Sequence, residues 1–145
     1  MRMVFAALMA AAALTVGATP ASAAAAPHID AVVYYTIYVK TGNVGDAGTD
    51  ADVYIRLIGS AGTTGYIELD NPGDDRKRNQ IDTYGPMPLS DLGTLREVRI
   101  AFEPEGGSPD WYLDWVKVDS SSGRSDLFPC YCWISGDSNT RIPRA

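Results

Sequence analysis

Val39-Lys40-Thr41-Gly42-Asn43-Val44-Gly45-Asp46-Ala47-Gly48-Thr49-Asp50-Ala51-Asp52-Val53-Tyr54-Ile55 is the stretch on which the fold turns. It starts at the end of an alternation. Val33, Tyr35, Ile37 and Val39 fall on one parity, and Tyr34, Thr36, Tyr38 and Lys40 on the other. A period of two marks a half-buried strand. The same pattern resumes with Val53, Ile55 and Leu57. Between the two lies a glycine-rich loop that closes on Thr49-Asp50-Ala51. A strand enters the loop and a second strand leaves it.

Downstream, short strand-like segments recur between clusters of Gly, Pro, Asn and Asp, the spacing of a β-sandwich or barrel. Residues 59–62 turn the chain into Tyr66, Ile67, Glu68 and Leu69. Residues 71–80 are polar, and Asp74, Asp75, Arg76, Lys77 and Arg78 read as a solvated loop. A strand is expected over residues 81–84, ended by Gly85-Pro86 and Pro88. Val98, Ile100 and Phe102 mark another. In residues 111–118, Trp111 and Leu113 share one parity, Val116 and Val118 the other. Both pairs can face a core only if a β-bulge near Asp114 or Trp115 inserts one residue. The last strand expected is residues 127–134. Trp111, Trp115 and Trp133 fall within strands and are expected in the core rather than as membrane anchors. There are no heptads, long-period repeats or linkers, so a single domain is expected over residues 32–136.

Upstream, Met1 and Arg2 precede an apolar run ending at Val16, then Pro20 and Ala21-Ser22-Ala23. That is the layout of a secretory signal peptide over residues 1–23, cleaved within a few residues of Ala23. The run is too short and alanine-rich for a membrane anchor, and no later segment approaches the roughly 20 apolar residues a spanning helix needs. Arg2 is the only charge in the leader, so the mature part carries 11 basic against 18 acidic side chains, net −7. An acidic surface argues against nucleic acid, which needs Lys and Arg, and against simple attraction to anionic lipid. It suits a divalent cation. Cys130 and Cys132 are too close in sequence for a bridge to remove much entropy. One buried thiol and one incidental thiol is the reading favoured over a redox or metal role, since no Cys-x-x-Cys pair or histidine accompanies them.

The glycine-rich stretch resembles the first two strands of the PLAT/LH2 domain family, where Thr-Gly-Asp leads to Gly-x-Gly-Thr-Asp-Ala. Asn43 stands where the family often has Asp, and Asp46 where it often has Gly. Asp82-Thr83-Tyr84, Leu92-Gly93-Thr94-Leu95, Trp111-Tyr112-Leu113 with Val116 and Val118, and Phe128-Pro129-Cys130-Tyr131-Cys132-Trp133-Ile134 match further family segments in order. The resemblance covers residues 34–134. It implies an all-β, eight-stranded antiparallel β-sandwich. It also implies a binding module with calcium-binding loops at one end, docking onto a lipid surface or a protein partner.

The loop chemistry is compatible with that. Calcium takes six to eight oxygens from carboxylates, carbonyls and water. Gly45, Asp46, Gly48, Thr49 and Asp50 offer such donors. The loop after Phe102, with Glu103, Glu105 and Asp110, is expected at the same end. Pro104 replaces an acid that relatives carry there, so the second half of the site departs from the family pattern. The competing role for Asp50 is to hold the turn through backbone N–H bonds. An enzyme, specifically a hydrolase, is the weaker alternative: His28 is the only histidine, and there is no Gly-x-Ser-x-Gly or His-Glu-x-x-His. Asp114 and Asp119 could pair as glycosidase acids, but alternation along a strand is the simpler account. A third reading is a secreted inhibitor or envelope-associated structural protein, with Tyr34, Tyr38 and Tyr54 on a partner-binding sheet face.

Overall fold

The alternating segments become strands whose inward residues meet in one core. In β1 (Val32–Thr41), Val33, Tyr35, Ile37 and Val39 are buried, and in β2 (Asp52–Gly59) so are Val53, Ile55 and Leu57. β3 (Ile67–Glu68), β4 (Ile81–Ser90), β5 (Leu95–Glu103), β6 (Trp111–Ser120), β7 (Ser125–Ile134) and β8 (Ser138–Pro143) complete the set. They form two four-stranded antiparallel sheets, β4-β1-β6-β7 and β3-β2-β5-β8. This is the eight-stranded sandwich expected. The coordinates are a computed structural model describing residue 17 and residues 31–145, apart from residues 105, 108 and 137. All of the leader but Gly17, together with His28 and Glu105, falls outside the described residues. Among those described, no helix is long and apolar enough to cross a membrane.

Trp111 is fully buried and anchors the core, its indole Nε1 donating to the buried Thr41 hydroxyl at 2.9 Å. A buried Trp needs a partner for that N–H, and Thr41 at the end of β1 supplies it. The bulge in β6 lies where the parity change requires it: Lys40 faces Trp115 while Thr41 faces Leu113, leaving Asp114 as the extra residue.

Four expectations need correction. β4 does not stop at Tyr84 but runs to Ser90. Tyr35 faces Met87 and Ile37 faces Tyr84, so an extra residue sits at Gly85-Pro86 and pairing resumes beyond it. Gly85 has φ of 99°, and a Cβ there would lie 2.6 Å from the Tyr35 carbonyl oxygen. β4 is also an edge strand, where proline is tolerated. The strand read as last is followed by β8, which pairs with β5. Arg144 N–H then bonds the Arg96 carbonyl of β5, and Ala145 N–H the Leu127 carbonyl of β7, so the end of the chain clasps both sheets.

Trp133 is not a core residue, and Trp115 on β6 is only half-buried. Trp133 is 49% exposed, packed edge-on against Tyr112 with ring centroids 5.2 Å apart. The inward positions of β7 are Phe128 and Ile134, which puts Trp133 on the opposite parity. Finally, Cys130 and Cys132 are joined as a disulfide, and both are half-buried against the core. In an extended strand, residues two apart are separated by about 6.8 Å. β7 carries its own bulge here, since Leu113 faces Cys132 while Trp115 faces Pro129, and Tyr131 within it, with φ of 49°, brings the two Cα atoms to 5.1 Å, inside the disulfide range.

Candidate functional site

The β1–β2 loop is fixed from both sides. Gly42 N–H donates to the Tyr112 carbonyl and Tyr112 N–H to the Ala47 carbonyl, each at 2.9 Å. Ala47 is thereby pulled into the fold and fully buried, while Asn43, Val44, Gly45 and Asp46 stay exposed. Asp46 takes φ of 59°, a left-handed conformation that Asp tolerates better than most residues. Thr49 is buried. Its hydroxyl donates to the Pro109 carbonyl at 2.7 Å and accepts from Ala51 N–H at 3.1 Å, so it clamps the first loop to the second. Asp50 is exposed and lies against Gly106, where a Cβ would come within 3.2 Å of its Oδ2.

The two loops expected together are therefore together. Asp46 and Asp110 line one cleft with Gly107, Pro109 and Trp133. Among the described residues, no Lys or Arg lines it. Glu103, at the end of β5, is exposed and pairs directly across from Asp52. Two acids facing each other across a ladder repel, so this rim is negatively polarised. Desolvation first of all, with the charges of Glu103, Glu68 and Asp52 adding to it, pushes the Tyr54 hydroxyl pKa above its ordinary value. Gly45 is exposed in the loop. Among the described residues, no three His, Cys, Asp or Glu side chains gather closely enough to hold a metal ion by themselves.

The segment read as solvated turns out to be the loop's third support. Arg76 is buried, and its NH2 donates to the Ala51 carbonyl at 3.1 Å and its NH1 to the Leu69 carbonyl. Its own carbonyl accepts from Thr49 N–H at 3.3 Å. A Cβ at Gly48 would come within 2.9 Å of that carbonyl oxygen, which is why the loop carries glycine at this point. Asp75 faces Arg76 at 3.7 Å, and Asp82 accepts from Arg76 N–H at 2.8 Å. Tyr84 is buried beside this network, and burial first of all raises its hydroxyl pKa. Residues 74–78 and 46–50 line a second cleft, where Asp46, Asp50, Asp74 and Asp75 are offset by Arg76, Lys77 and Arg78. Lys77 bonds Asp74 at 2.7 Å and lowers its pKa, by hydrogen bond and by charge. A mixed-charge run gives no hint in sequence of which member is buried. Trp133 was missed as a site residue because aromatics in strands are commonly core.

A domain described as PLAT/LH2 matches residues 35–143. Mouse lipoxygenase homology domain-containing protein 1 is 37% identical over 105 residues, covering 70% of this chain and 5% of that protein. The human polycystin family receptor for egg jelly is 34% identical over 106 residues, covering 72% and 5%. The chain thus spans about one twentieth of the length of these relatives. The crystal structure of coral 8R-lipoxygenase, a protein with calcium activation through a C2-like domain, superposes with a TM-score of 0.67 at 28% identity. That match covers 79% of this chain and 17% of the lipoxygenase. With that domain matched over residues 35–143, the chain belongs to the PLAT/LH2 domain family.

Proposed function

We propose that the chain is an exported, non-catalytic docking module that meets a lipid surface with the loop end bearing Asp46, Asp110 and Trp133. The observation that carries this reading is that a half-exposed Trp133 lines the same cleft as two carboxylates, with no Lys or Arg among the described lining residues. An indole suits the boundary between headgroups and acyl chains. The donor set there is all oxygen, the chemistry calcium requires. Asp46 and Asp110, with carbonyls of the two loops, would hold the ion, and Asp50 and Glu103 would add long-range attraction. Bound calcium would neutralise the acidic rim and offer coordination positions to lipid phosphate. Two carboxylates make a weak site, at the millimolar end of the calcium range used by extracellular modules. The cleft lined by Arg76, Lys77 and Arg78 is the poorer candidate, because its cations compete with a metal for the same acids. Export rests on the leader pattern of residues 1–23. Intact-mass measurement of the exported protein is expected to give an N-terminus within residues 24–27. Retention of Met1 would refute it.

The docking test is sedimentation with phosphatidylcholine vesicles containing phosphatidylserine, in millimolar calcium and in chelator. Wild type is expected to pellet only with calcium. Asp46→Asn should abolish this, and Trp133→Ala should weaken it about tenfold, a modest share of what burying an aromatic ring is worth. Calcium at 100 times its dissociation constant should also raise stability by about 2.7 kcal/mol. Equal pelleting in chelator, or none in calcium, overturns the reading.

A further inference from the structure

Arg56, Arg99 and Arg141 stand directly opposite one another on β2, β5 and β8, on the outer face of the β3-β2-β5-β8 sheet. Like charges directly opposite destabilise a sheet. In a chain of net charge −6, this is a conspicuous place to gather cations. Each guanidinium is anchored through its Nε: Arg56 to the Thr64 carbonyl at 2.8 Å, Arg99 to Glu97 Oε1 at 3.1 Å, and Arg141 to Glu97 Oε2. Among the described residues the terminal nitrogens of all three have no partner. The Arg99 and Arg141 side chains are 42% and 68% exposed. Three forks are thus held in place with their paired donors free, the arrangement that recognises a carboxylate or sulfate.

Glu97 positions this row rather than cancelling it. Burial tends to raise its pKa, but hydrogen bonds and charge from Arg141 and Arg99 outweigh that and hold the carboxyl below its usual range. It stays ionised at neutral pH and fixes two of the three forks. Beside the row, the Tyr66 ring lies 5.5 Å from the Arg56 guanidinium, and its hydroxyl accepts from Asn139 Nδ2 of β8 at 2.7 Å. The ring therefore reaches across the sheet, past Ala101, which stands in register between Tyr54 and Asn139 and offers little bulk beneath it.

We propose that this arginine row, flanked by Tyr66, binds an anionic polysaccharide carrying carboxylate or sulfate groups. With strands about 4.8 Å apart, the row spans roughly 10 Å, enough to meet successive charged sugars of one chain. A broad anionic surface fits less well. The same face carries Asp52, Glu68 and Glu103 besides Glu97, so a bilayer would meet four acids for three arginines. A narrow chain along the row meets only Glu97. An exposed ring beside the cations favours sugars over an acidic peptide, because the apolar C–H face of a pyranose can stack on it while its substituents reach the guanidinium forks.

The test is titration calorimetry of the full mature chain in chelator at low salt, with dextran sulfate and polygalacturonate as probes. Neutral dextran, polyglutamate and phosphatidylserine vesicles are the comparisons. Both anionic polysaccharides should bind, with affinity falling as salt rises. Arg56→Gln leaves the Glu97 pairs intact and should weaken binding about tenfold, the scale of one charged hydrogen-bonded contact. Arg99→Gln with Arg141→Gln should abolish binding, with thermal unfolding reporting whether that variant folds. Asp46→Asn should bind both probes like wild type, which separates this surface from the calcium loops. Absence of polysaccharide binding, indifference to Arg56→Gln, or equal binding of polyglutamate or vesicles in chelator overturns the proposal.

Discussion

Trp111→Ala is expected to lower stability by about 3–5 kcal/mol, a large share of the 5–15 kcal/mol available to a domain of this size. The ring is fully buried in the core, so its removal leaves a cavity. It also strands the Thr41 hydroxyl, which is itself inaccessible to water. Trp111→Phe should recover much of the packing but not the hydrogen bond. Urea unfolding followed by circular dichroism gives the comparison, with Trp133→Ala as the internal control. Because Trp133 is half exposed, its loss should shift the midpoint by no more than about 1 kcal/mol. Equal shifts for the two variants would refute the assignment of one ring to the core and the other to the rim.

Arg76→Met should be as damaging by a different route. The methionine roughly fills the space, but the Ala51 and Leu69 carbonyls lose their donors and Asp75 loses its cation. Breaking a buried charged network by removing one partner typically costs about 3–5 kcal/mol. Arg76→Lys keeps the charge yet cannot bond two carbonyls from one planar fork, so it should fall between. A second readout is local. Thr49 N–H bonds the Arg76 carbonyl, so hydrogen exchange at Thr49 should accelerate more than exchange in β1 or β6. Wild-type stability and exchange in Arg76→Met would mean the arginine only decorates the surface.

The strands that sequence reveals most directly, β1, β2 and β5, have one face in the core and one in solvent, so burial writes itself as a period of two. The β6 bulge was legible for the same reason, since a change of parity is a geometric event. β4 and β8 were not. β4 carries two prolines that only an edge position tolerates. Ser138-Asn139-Thr140-Arg141-Ile142-Pro143 buries Ile142 as its one large apolar side chain, which leaves no alternation to read. At the site, glycine and aspartate spacing exposed the loop itself. Its supports were invisible, because Arg76 is buried only by virtue of carbonyls from Ala51 and Leu69, and the row of arginines exists only once three distant strands are in register.

The strand order also governs how such a chain can come to be folded at all. β1 pairs with β4 and β6, and β2 with β5, so most of the ladder joins segments far apart in sequence. Among the described strands that neighbour one another in sequence, only β6–β7 makes an extended hairpin, closed by residues 121–124. Neither sheet can be completed by a growing N-terminal fragment. The first strand must wait for residues near 120 before both its sides are covered. Chains of this kind cross a late, entropy-limited barrier and fold in milliseconds to seconds rather than microseconds. The β6–β7 ribbon, as the largest local pairing, is where ordering can begin before the long loops close.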